Sequence, residues 1–329
     1  MKNNVHSCVK YRKELFGVAT LMILLCHSVS IVPFPDRIGT FISYGTMGVN
    51  VFLFLSGIGL YYSFNKNGDI IAFYKKRFMR VIVPYLFIAG FWYGVKYLIM
   101  EGGRVDQFIY ELSTISFWNE HKGAWFVAAI IPIYIIYPVL YRWLEKGRRK
   151  SKTSILVLII LLSAFYLSNI NAQLYIHLSQ IIIGGIVFLI GNCVADSIKN
   201  NNFKGKYLFI FGIIIFAIKS TTLLKNSQLF CDISVGFLSI SLIFILNIFI
   251  KFCGGICRKV LIKIGTISLE SYLHNIFLLQ AVKYWENIFL CNQNMNYRVG
   301  LYVIIMILGL VLSLFSQIIL KTIMNNMEG

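Results

Sequence analysis

The sequence predicts an all-α polytopic membrane protein of about ten transmembrane helices with both termini cytoplasmic, and three observations predict it. Hydrophobic residues make up 58% of the 329-residue chain and charged residues only 13%, about half the ~25% charged share of soluble domains. Mean hydropathy is +0.73, sustained by repeated apolar runs of the ~20 residues needed to cross a bilayer as a helix. The basic residues collect in alternate connections between those runs.

In chain order the runs place spans near 15–33, 45–64, 81–100, 124–142, 154–170, 175–194, 207–223, 233–250, 264–285 and 299–320. The first is not a cleavable leader, because no small-residue cleavage site follows Ser28 to Pro35 and further spans succeed it. The expected organisation is a basic cytoplasmic arm at 1–14, a transmembrane domain at 15–320 and a cytoplasmic tail at 321–329. With the N-terminus inside, 23 of the 31 Lys and Arg residues fall in cytoplasmic segments, as short inside loops require. The net charge of +18 is therefore spread over membrane-proximal loops, which predicts anionic lipid as its partner and excludes nucleic acid.

The seven cysteines do not form a disulfide framework: Cys26 and Cys193 fall in spans and Cys8 in the arm. Cys253 and Cys257 have metal-like spacing, but no second pair or nearby His completes a tetrahedral site, so no metal is expected. No appended soluble catalytic domain is expected, and the chemistry is expected in the membrane part.

His27 lies inside the first span, where an ionisable group is costly and normally faces a protein interior. In the second span, Gly45, Gly48, Ser56 and Gly57 remove side-chain bulk, and Asn50 offers a polar contact among apolar neighbours. These positions suit helix packing, and Asn50 and Ser56 are also candidate substrate contacts. Lys76, Arg77 and Arg80 form a compact cation cluster at the start of the third span, ahead of Pro84-Tyr85. Guanidinium forks fit phosphate and carboxylate; the plainer role is a positive-inside anchor. Glu270 and His274 share a face of the ninth span, and the buried acid needs a partner such as His274 or His27. Glu120, His121 and Trp125 sit at the outer mouth of the fourth span, Trp125 as an interface anchor or sugar contact.

Together these segments resemble the membrane-bound acyltransferase-3 family, the O-acetyltransferases of bacterial surface polysaccharides. The resemblance rests on Glu14-Leu15-Phe16-Gly17 leading to His27-Ser28, Gly48-Val49-Asn50 through Leu55-Ser56-Gly57, Phe73 to Arg80 with Pro84-Tyr85, Gly265 through His274, and Trp125-Phe126. It implies transfer of an acyl group, usually acetyl, from cytoplasmic acyl-CoA to a hydroxyl of a cell-surface glycan or its lipid-linked precursor, in a bacterial inner or plasma membrane. On that resemblance His27 is the catalytic residue, and Arg77 and Arg80, with Lys76 as auxiliary, bind the donor, acetyl-CoA, which is a substrate rather than a bound cofactor. Glu270 joins His27 as a proton-handling or orienting group, and Asn50, Ser56, Trp125 and His274 are assigned to substrate. The chain departs from the family where many members carry Arg eleven residues before the histidine. Phe16 stands there, with Arg12 and Lys13 as the nearest basic substitutes.

The residues support such chemistry. A sugar hydroxyl is a weak nucleophile at neutral pH, and a neutral imidazole can accept its proton as the thioester is attacked. His27 lies about 18 Å along the helix from Leu15 at 1.5 Å per residue, so the pantetheine arm would thread inward while the phosphates stay near Arg77 and Arg80. Direct transfer and a covalent acyl-histidine both remain open. The competing class is a transporter or flippase of a glycan or polar solute, but the chain shows no inverted repeat and no paired broken helices. A structural envelope subunit leaves His27 and Glu270 unexplained.

Overall fold

The computed structural model describes residues 10–119, 123–199, 205–219, 227–292 and 294–328, and Glu120 and His121 lie outside them. Among the described residues all regular structure is helical. The principal helices are α1 Arg12–His27, α2 Met47–Asn67, α3 Ile70–Arg77, α4 Val83–Tyr93, α5 Val105–Leu112, α6 Trp125–Glu145 and α7 Arg149–Ile170. They continue with α8 Ala172–Lys199, α9 Gly205–Lys219, α10 Gln228–Phe252, α11 Gly255–Thr266, α12 Ser268–Tyr284 and α13 Met295–Glu328. Eight helical stretches among the described residues are long and apolar enough to cross a membrane, as expected of a multi-pass membrane protein. The other two expected spans fall on shorter helices, α9 with 15 residues and α12 with 17. The ninth expected span, 264–285, is broken at Ile267, where the backbone leaves helical geometry between α11 and α12.

The third span reaches back from Met100 to Ile70 as one helical run, taking in the whole basic cluster. It contains two wider, π-helical turns, Phe78–Ile82 and Gly94–Met100. The first has a direct cause. Pro84 has no N–H to give the carbonyl four residues back, that of Arg80, so the helix widens and Val83 N–H bonds Phe78 O instead.

The chain forms two compact units. The first comprises Met1–Ala19, Thr46–Asp69 and Ile136–Thr266. Here α1 crosses α11 at glycines: a Cβ on Gly265 would come within 2.2 Å of Lys13 O, and one on Gly17 within 2.1 Å of Leu261 O. Such contact admits no side chain. Beside it the Glu14 carboxylate, 4% exposed, is held by Arg258 at 2.9 Å. Helix α2 packs along α8, where Asn192 donates to Gly57 O at 3.2 Å and to Tyr137 Oη at 2.8 Å.

The second unit comprises Thr20–Gly45, Ile70–Ile135 and Ile267–Gly329. Its core joins Leu278, Leu279 and Val282 of α12 to Tyr302 and Ile305 of α13, with Ile31 and Val32 packed against them. Arg298, one residue ahead of the last expected span at 299–320 and so outside the spans, is buried, and its guanidinium donates to Ile31 O at 3.0 Å, Asn292 O at 2.8 Å and Leu290 O at 2.5 Å. The three carbonyls replace the water that a cation loses at such a position.

Candidate active site

The second unit contains His27, Lys76, Arg77, Arg80, Trp125, Glu270 and His274. His27 is the last residue of α1, at the point where the helix tightens into the short turn Ser28–Ser30. Its Nδ1 lies 2.7 Å from Asn275 Oδ1. The Asn275 amide nitrogen points to Tyr302 Oη at 3.5 Å, and Tyr302 donates to Leu24 O. An amide oxygen can only accept, so His27 Nδ1 carries the proton and Nε2 presents a lone pair. The Tyr272 ring stands 6.1 Å from the imidazole, and its hydroxyl accepts from Phe126 N at 3.4 Å. Asn275 is fully buried, so the orientation of the base is set by packed protein groups.

The other histidine is placed differently. The Trp92 indole N–H donates to His274 Nδ1 at 3.2 Å, and His274 Nε2 meets Ser316 Oγ at 2.8 Å. Both ring nitrogens are thus engaged by protein, and the residue is 5% exposed. This geometry makes His274 a brace between α4, α12 and α13. Glu270, one turn before it, interacts electrostatically with Arg80 of the basic cluster.

Lys76 and Arg80 are exposed and Arg77 half-buried. The Arg77 guanidinium lies over the rings of Phe73 at 5.4 Å and Tyr134 at 5.6 Å, which fixes its plane. Arg80 is carried by the π-helical turn that Pro84 imposes. Trp125 opens α6, edge-on to Phe126, whose ring meets Tyr272 at 5.9 Å.

Asn50 and Ser56 belong to the first unit. Asn50 donates to Ser239 Oγ at 3.0 Å, tying α2 to α10, and Ser56 precedes the close contact of Gly57 with α8. Phe16 is explained in the same unit: it stacks on Phe52 at 4.9 Å, and the Arg12 guanidinium covers it at 5.0 Å. Four contributors escape sequence reasoning: Asn275, Tyr302, Trp92 and Ser316. Asn275 had a signal, a buried amide directly after His274. Tyr302 and Ser316 are polar positions in a long apolar helix, and nothing local marks which of them meets a histidine.

Comparison with curated proteins and with solved structures gives no match. A family model described as an acyltransferase domain matches residues 17–318. That span takes in His27, the basic cluster, Trp125, Glu270, His274 and Asn275, and on it the chain belongs to the acyltransferase-3 family and is a membrane acyltransferase.

Proposed function

We propose that the protein is an O-acyltransferase that moves an acyl group, acetyl by preference, from cytoplasmic acyl-CoA to a hydroxyl of a cell-surface glycan or its lipid-linked precursor, in a bacterial inner or plasma membrane. The observation that carries this reading is the His27 Nδ1 to Asn275 Oδ1 contact of 2.7 Å, which leaves Nε2 as a base held in one tautomer. The acceptor hydroxyl gives its proton to Nε2 as its oxygen attacks the thioester carbonyl. The tetrahedral intermediate collapses with cleavage of the C–S bond, and the imidazolium returns the proton to the departing thiolate. One O–acyl bond forms, one S–acyl bond breaks, and His27 ends as it began.

Lys76, Arg77 and Arg80 hold the phosphates of the donor, supported by the exposure of Lys76 and Arg80 and by the widened turn that presents Arg80. Glu270 keeps Arg80 in place, and His274 braces the helix that carries Asn275. The basic residues in alternate loops support a cytoplasmic donor side. The test supplies acetyl-CoA radiolabelled in its acetyl group to membranes containing the protein. Label is expected in a glycan fraction as an ester released by mild base; a glycan fraction without label, at verified protein abundance, overturns the reading.

A further inference from the structure

Helix α12 of the second unit carries three chemistries in order: Glu270, which interacts electrostatically with Arg80, Asn275 on His27, and, from Phe277 to Tyr284, one wall of a cavity of about 510 Å³. That volume is typical of small-molecule sites, roughly 300–1,000 Å³. Trp92, Tyr93, Tyr97 and Trp285 supply its aromatic surfaces, and Glu111 and Gln280 supply polar groups. Glu111 is 8% exposed, an acid kept inside a wall of rings.

The clearest sign of a built site is at Gly123. A Cβ placed there would lie 3.1 Å from Tyr93 Oη and 3.4 Å from Glu111 Oε2, so a hydroxyl and a carboxylate converge on a spot that stays open because residue 123 has no side chain. Two lysines, Lys96 and Lys283, also line the cavity. Lys96 donates to Tyr97 Oη at 2.9 Å and is paired with Glu101 at 3.9 Å. With Glu101 and Glu111 set against the two lysines, the site has little net charge to select by.

We infer that this cavity is a carbohydrate subsite. Aromatic faces fit the apolar C–H faces of a pyranose ring, while the carboxylate, the amide and the phenol take its hydroxyls. On α12 its wall begins at Phe277 and its polar part lies at Gln280 and beyond, about 7–8 Å of helix rise past Asn275 at 1.5 Å per residue, which suits a sugar unit other than the one being acylated. It thereby holds a chain-like acceptor in register with His27. The inference rests on the acceptor being a glycan, as proposed above.

The test uses the full chain in phospholipid nanodiscs with four probes: the methyl β-glycosides of glucose, galactose, N-acetylglucosamine and glucuronic acid. Saturation-transfer NMR is expected to show ring protons of at least one glycoside receiving magnetisation from the protein. That signal should fall about tenfold in Gly123→Val, which fills the convergent spot, and in Trp285→Ala, which removes a stacking face. Trp118→Ala, whose exposed ring lies outside the cavity, should keep it. Transfer to none of the glycosides, transfer to lipid headgroups alone, or an undiminished signal in both cavity variants overturns the subsite. The probes need no acetyl-CoA, so the two readings fail separately. Glycoside binding without acetyl transfer sinks the transferase reading alone, and acetyl transfer without glycoside binding sinks the subsite alone.

Discussion

Replacing Asn275 with leucine, similar in size and without the amide, removes the acceptor that fixes His27 while leaving His27 itself in place. The structure gives the scale of the effect. Asn275 is fully buried and accepts from Nδ1 at 2.7 Å, so the variant leaves a donor without its partner in a packed interior, a loss of about 1–3 kcal/mol. If that loss falls on the reacting geometry, kcat drops by roughly 5- to 150-fold. The acetyl-CoA KM should hold, because the basic cluster is untouched. Product formation against acetyl-CoA concentration, at matched abundance, separates the two parameters. Nitrogen NMR of the histidine side chains, assigned to His27 by comparison with His27→Ala, should show Nε2 gaining proton occupancy at the expense of Nδ1. A kcat within about twofold of wild type, or an unchanged tautomer, would refute the idea that Asn275 sets the base.

Three further outcomes follow from the geometry. Losing one charged contact to the donor phosphates should cost on the order of 1.5–3 kcal/mol. The acetyl-CoA response should therefore weaken from wild type to Arg80→Lys to Arg80→Ala, with lysine keeping charge but losing the fork; identical responses would reduce Arg80 to a topology anchor. Arg258→Met strands the buried Glu14 carboxylate, and should lower the thermal midpoint of the detergent-solubilised protein while leaving the acetyl-CoA KM unchanged; an unaltered midpoint would remove that ion pair from the account. With native cysteines replaced, a cysteine at Ser151 should resist an impermeant thiol reagent in intact cells and one at Asp106 should react, whereas the reverse would move the basic cluster away from the donor side.

Much of the architecture was legible because the bilayer demands it: apolar runs long enough to cross, with Lys and Arg in alternate connections, are written locally. The limits of that reading are equally local. The split at Ile267 follows directly on Gly265, whose close approach to Lys13 O joins residues far apart in sequence, which no window of hydropathy contains. Arg298 falls outside the expected spans, and its three carbonyl partners lie on other segments. At the site, His27 and the basic cluster stood out because ionisable groups are rare in such a chain. Asn275, Trp92 and Tyr302 did not, since an amide, an indole or a phenol becomes a positioning group only through the partner the fold brings to it. His274 shows the same in reverse: its position beside Glu270 suggested an ion-pair partner, and Trp92 and Ser316 take both its nitrogens instead.

The central claim, that His27 is the base for acyl transfer, is tested most directly by single-turnover release of CoA thiol coupled to acetyl incorporation into glycan, comparing wild type with His27→Ala at equal abundance and equal acetyl-CoA binding. The account predicts both signals in the wild type and their joint loss in the variant by about 10²–10⁴-fold, the usual worth of a positioned general base. Acetylated glycan forming at the wild-type rate in His27→Ala would contradict it.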